Sequence, residues 1–95
     1  MSIRYDGRVA IVTGAAAGLG RSHALALAAR GARLIVNDFG GSVDGSGGSS
    51  EPAAKVAAEI RQAGGTALSH GADVTNPQQV AHMVATAMEA WGRVD

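Results

Sequence analysis

Three times along the chain a short run of apolar residues stops at a turn and gives way to an alanine-rich stretch. The runs are RVAIVTG at 8–14, ARLIVND at 32–38 and TALSHGADV at 66–74. Each is too short for a stable helix. The first two carry the Val/Ile content of a strand buried on both faces, and the third is more polar. The stretches between them, 19–31, 51–65 and 75–92, read as helices. Gly31, Gly64 and Gly92 stand where C-terminal caps are expected. Ser50 is placed to cap the second helix, and Thr75 or Asn76 the third, with Pro77 just inside. The expected apolar faces are Leu19, Leu25, Leu27 and Ala28 on the first helix, Val56, Ile60 and Ala63 on the second, and Val80, Val84, Ala87, Met88 and Trp91 on the third.

A β-α-β-α-β-α order implies an α/β fold with a parallel sheet and helices on its faces. Right-handed crossovers set the strand order 3-2-1, with a fourth strand due beside the first. RVD at 93–95 has the look of that strand's beginning. Left alone, strand 1 would be an exposed hydrophobic edge, which invites aggregation. Residues 1–95 are therefore expected to form the N-terminal half of a larger doubly wound, Rossmann-type domain.

Formal net charge is zero and only 17% of residues are charged, so no nucleic-acid or membrane surface is expected. The absence of cysteine excludes disulfides and thiolate metal sites. No signal peptide or membrane-spanning run is legible, and a soluble intracellular protein, cytoplasmic by default, is expected.

The glycine loop TGAAAGLG at 13–20 joins the first strand to the first helix. Gly14 suits a tight exit from the strand, Gly18 a close approach of the backbone to a pyrophosphate, and Gly20 close packing of the helix. The helix start would turn its unpaired N–H groups toward the phosphates. A P-loop needs a glycine where Ala15 stands and a lysine where Arg21 stands, so it is disfavoured. A strand-to-helix turn without a ligand is the competing reading of the glycines alone. Asp38, at the end of the second strand, tips the balance. There a carboxylate can accept from the adenosine ribose hydroxyls and repel a 2′-phosphate; the competing reading is a turn-forming residue at a strand end. Phe39 follows where a phosphorylated cofactor would favour arginine, and NAD is expected over NADP.

TGAAAGLG resembles the TGxxxGxG signature of the short-chain dehydrogenases/reductases. Asp73-Val74 resembles that family's Asp-Val after the third strand, and WGRVD the lead-in to its Asn-Asn-Ala-Gly strand. The resemblance covers essentially the whole chain. YDGRVAIVTGAAAGLGRSHALALAARGA, with VNDFGGSVDGSGGSS, is similar to the dehydrogenase portion of peroxisomal-type multifunctional β-oxidation enzymes and their bacterial relatives. The resemblance implies NAD-dependent hydride transfer on a secondary alcohol, with (3R)-3-hydroxyacyl-CoA as the narrower substrate. It also implies a homo-oligomeric intact protein, peroxisomal in a eukaryote. By the same resemblance Thr13 stabilises the turn. Ala17, Gly18, Leu19 and Gly20 line the pyrophosphate and nicotinamide ribose. Asp38 holds the adenosine ribose, and Asp73 and Val74 the adenine. Asp73 also reads simply as a turn or cap residue.

The family's Tyr-x-x-x-Lys pair, in which the lysine lowers the pKa of a tyrosine base, has no counterpart here. The single tyrosine is Tyr5, and the single lysine is Lys55. The alternative to an enzyme is thus a non-catalytic NAD-binding module or an inactive fragment. His23, His70 and His82 show no ligand spacing, are expected to be ordinary surface or packed residues, and with no metal site expected complete the candidates. The loop FGGSVDGSGGSS at 39–50 reads as a surface connection, with a lid near the adenosine end of the cofactor, or a contact for the CoA portion of a substrate, as the sharper reading.

Overall fold

The structure is a computed structural model that describes residues 4–15, 18–39 and 51–95. The elements follow the expected order: β1 (Val9–Thr13), α1 (Gly18–Ala29), β2 (Arg33–Asn37), α2 (Glu51–Gln62), β3 (Thr66–His70) and α3 (Pro77–Trp91). All three strands run parallel, with β2 between β1 and β3. The cap expected at Ser50 and the loop at 40–50 lie outside the described residues.

β2 is central because its sequence can be buried on both faces. Leu34, Ile35 and Val36 are inaccessible to solvent, each side chain contributing about 1.5–3 kcal/mol of burial. Strand alternation sends them into two cores. Leu34 and Val36 pack with Ala24 of α1, with Ala53, Val56, Ala57 and Ile60 of α2, and with Ala67 of β3. Ile35 packs on the opposite face with Val9, Ala72 and, from α3, Met83 and Ala87. Arg21 of α1 pairs with Glu59 of α2 across the outside of the first core.

The helix faces depart from expectation in three places. Leu19 is 77% exposed rather than part of the α1 core face, because it sits in the first turn, at the rim of the glycine loop. Ala63 is exposed, since it lies beyond the last residue of α2, Gln62. On α3 the buried stripe is Val80, Met83, Ala87 and Trp91, while Val84 and Met88 face solvent. α3 carries apolar residues on more than one face, so its hydropathy pattern alone admits both stripes.

β3 stops at His70, short of Val74. Beyond His70 the chain is held by a side chain of β2 rather than by the strand ladder (see below). α3 is capped by Asn76, whose Oδ1 accepts from the amides of Gln78 at 3.0 Å and Gln79 at 3.2 Å. At the far end of α3 the chain returns to the outer edge of β1. The Asp95 amide donates to the Val9 carbonyl at 2.8 Å, and the Val9 amide donates to Asp95 Oδ2 at 2.9 Å. This is the side of β1 on which a fourth strand was expected.

Candidate functional site

The register brings the three strand ends level: Thr13 pairs with Asn37, and Asn37 with His70. With neighbouring parallel strands about 4.8 Å apart, the ends span roughly 10 Å along one edge of the sheet. The glycine loop, Asp38-Phe39 and the segment 71–74 all leave from that edge. In open α/β sheets this carboxyl edge is where ligands bind. Thr13, Gly14, Gly18, Leu19, Gly20, Asp38, Asp73 and Val74 are therefore gathered there. Ala17 lies outside the described residues.

Each glycine of the loop has its own reason. Gly14 and Gly18 adopt φ of +63° and +58°, a left-handed conformation that costs other residues about 1–2 kcal/mol. A Cβ on either would touch nothing within 4 Å, so the peptide there is bare on its outer side. Gly20 is different. A Cβ on it would stand 2.0 Å from the Gly14 carbonyl oxygen, so only hydrogen lets α1 sit against the loop. α1 begins at Gly18, and the first amides of a helix have no intrahelical acceptor. A bare peptide, amides without an intrahelical acceptor and the positive end of the helix dipole together suit a dinucleotide's pyrophosphate. Leu19 adds an exposed apolar wall beside them.

On the other side of the edge, the Asp38 amide donates to the His70 carbonyl at 3.1 Å. That bond fixes where the Asp38 side chain leaves the sheet. Phe39 follows, half-buried. In the next loop, Asp73 Oδ1 accepts from the Thr75 amide at 2.9 Å and the Thr75 hydroxyl at 2.7 Å. These bonds hold the Asp73 carboxyl below its usual range. The Asp73 amide donates to Gln79 Oε1 at 2.8 Å. Asp73 is thus a turn former at the entry to α3. A carboxylate has about four acceptor sites, so this role is compatible with a ligand on the same side chain. Val74 is 56% exposed next to it.

Sequence reading missed two features. Asn37 is buried, and its amide spans the gap to Ala72. His70 and His82 meet, with Nε2 of His70 and Nδ1 of His82 2.8 Å apart. They stand on β3 and α3, so no spacing within one element could announce the pair. Among the described residues no group of three or more His, Asp or Glu could hold a metal ion. Tyr5, bonded through its amide to the Arg30 carbonyl, precedes β1. It is separated from the glycine loop by the length of that strand, roughly 16 Å. Lys55 is exposed on α2. The two stand on different parts of the chain, and Tyr5 lines with Thr13 a pocket along β1 and α1.

Relatives share the sequence across nearly all of the chain. The peroxisomal multifunctional enzyme type 2 of Drosophila melanogaster is 53% identical over 93 residues, which cover 98% of this chain and 15% of that enzyme. A short chain dehydrogenase from Mycobacterium avium superposes with a TM-score of 0.83 at 50% identity, covering 95% of this chain and 31% of the other. A 7α-hydroxysteroid dehydrogenase, solved with NADH and 7-oxo glycochenodeoxycholic acid, gives a TM-score of 0.84 at 35% identity, covering 97% of this chain and 32% of that one. The chain therefore spans a third or less of the length of each. Residues 8–95 match the short chain dehydrogenase family, and the chain belongs to it.

Proposed function

We propose that these residues are the NAD-binding half of an oxidoreductase domain that moves hydride between a secondary alcohol and NAD. The observation that carries this reading is the shared edge. The glycine loop with the α1 N-terminus, Asp38, and the 71–74 loop leave level strand ends side by side. Pyrophosphate would lie over Gly14, Gly18, Leu19 and Gly20. The adenosine ribose would lie against Asp38, and adenine between Asp73 and Val74. The bound nicotinamide supplies the hydride acceptor. The residues described here bind and orient it.

NAD is preferred over NADP because a carboxylate at the ribose accepts bonds from its hydroxyls and repels a phosphate placed there. The groups that move the substrate proton are proposed to lie after residue 95 in the full-length protein, since Tyr5 and Lys55 do not form a Tyr-x-x-x-Lys pair. The substrate proposed is a (3R)-3-hydroxyacyl-CoA, supported by the 53% identity to a peroxisomal multifunctional enzyme. No helix among the described residues is long and apolar enough to cross a membrane. A homo-oligomer in the cytoplasm, or in the peroxisome of a eukaryote, completes the proposal.

The test is turnover by the full-length protein, followed through NADH formation with (3R)- and (3S)-3-hydroxyacyl-CoA. Oxidation of the (3R) epimer with NAD supports the reading. NAD binding without turnover of any secondary alcohol would favour a non-catalytic NAD-binding module.

A further inference from the structure

Asn37 is the one buried polar or charged side chain among the described residues, at 1% exposure. It points to the α3 side of the sheet, as Ile35 does two residues earlier on the same strand. A residue needed only to fill that face would be apolar. An amide buried without partners there would be strongly unfavourable. This one is matched on both ends by a single residue. Nδ2 donates to the Ala72 carbonyl at 3.1 Å, and Oδ1 accepts from the Ala72 amide at 2.8 Å. The two bonds fix the orientation of the amide, because a flipped one would set donor against donor and acceptor against acceptor. Ala72 is itself buried, so its amide and carbonyl need partners inside the protein.

The backbone of Asn37 adds a third tie, its carbonyl accepting from the Ala15 amide of the glycine loop at 3.1 Å. One residue thus joins the loop after β1 to the loop after β3, and Asp38 follows it directly. The three walls of the site are fastened to each other through Asn37 before any ligand arrives. Such preorganisation sets how much ordering a ligand must supply when it binds.

We propose that Asn37 is a positioning residue for the adenosine end of the dinucleotide: its side chain holds the 71–74 loop, and so Asp73 and Val74, at a set distance from Asp38. This inference rests on the NAD-binding reading above. Without the amide, the loop keeps the Thr75 and Gln79 bonds that shape it but loses its two side-chain hydrogen bonds to β2. The adenosine end then loosens while the pyrophosphate cradle, built on Gly14, Gly18 and α1, keeps its form.

The experiment compares full-length wild-type protein with Asn37→Ala. NAD+ binding is measured by calorimetry and AMP binding by displacement of NADH. The expected result is a rise of roughly tenfold in Kd, the same factor for NAD+ and for AMP, because the whole loss resides in the adenosine half. A purely structural role would lower Tm and leave both affinities within about twofold of wild type, which overturns the proposal. Weaker NAD+ binding with unchanged AMP binding overturns it too, by placing the effect at the nicotinamide end. If Asn37→Ala does not fold, Asn37→Ser keeps a small polar group in the slot and carries the same comparison. A wild-type protein that binds neither ligand would instead sink the NAD reading on which the inference rests.

Discussion

Gly20 lies so close beneath the glycine loop that a Cβ on it would stand 2.0 Å from the carbonyl oxygen of Gly14. Both contacting groups are backbone, so neither can swing aside. Gly20→Ala must therefore push α1 off the loop. The expected cost is about 1–3 kcal/mol, with loss of dinucleotide binding. Gly18→Ala meets open space and pays only for its backbone conformation, about 1–2 kcal/mol. Chemical denaturation of both variants checks the order. A Gly20→Ala protein as stable as wild type would contradict the packing described.

The two faces of α3 separate two methionines five positions apart in sequence. Met83 is 4% exposed against Val9 and Ile35, whereas Met88 is 47% exposed. Met83→Ala should cost about 2–4 kcal/mol through lost burial and the cavity left behind. Met88→Ala should stay within about 0.5 kcal/mol of wild type. Thermal or urea unfolding distinguishes them, and a larger loss for Met88→Ala would mean that α3 packs with the other stripe.

The His70–His82 contact has a pH signature. Burial, and next the charge of His82, lower the pKa of His70 from its ordinary 6.5. His70 Nδ1 is buried without a hydrogen-bond partner among the described residues, so a proton there would be unpaired. The neutral tautomer that fits has its proton on Nε2, donated to His82 Nδ1. As pH falls, the unfolded chain takes up this proton before the folded chain does. Stability from this residue is full above about pH 6.5 and declines below it until folded His70 titrates as well. His70→Gln should flatten the slope of Tm against pH between about 7 and 5, a range above the ordinary carboxylate region. An unchanged slope would remove His70 as its source.

The order of elements was legible because Val/Ile runs and alanine-rich stretches differ in both composition and length. The site edge was legible for a related reason: Gly14 and Asp38 directly follow strands, Asp73 comes three residues after one, and parallel topology aligns strand ends. What escaped depends on pairs that only folding brings together. Asn37 and Ala72 are 35 positions apart, and an asparagine at a strand end reads first as a turn residue. His70 and His82 are 12 apart, on different elements. The choice between Met83 and Met88 turned on the angle at which α3 lies on the sheet, which hydropathy does not encode. β3 was read too long because Gly71 and Ala72 continue its apolar tone, while the backbone partners of Ala72 come from a side chain.

The central claim is that the carboxyl edge of this sheet binds NAD, with Asp38 as the group that chooses it over NADP. The most direct measurement is the Kd of NAD+ and NADP+ for the full-length protein and for Asp38→Ala, by calorimetry under one set of conditions. The account predicts tighter binding of NAD+ by wild type. Asp38→Ala should lose about 1.5–3 kcal/mol toward NAD+, as for a hydrogen bond to a charged group, and should lose its discrimination against NADP+. Equal binding of the two cofactors by wild type, or an Asp38→Ala protein with unchanged preference, would contradict it.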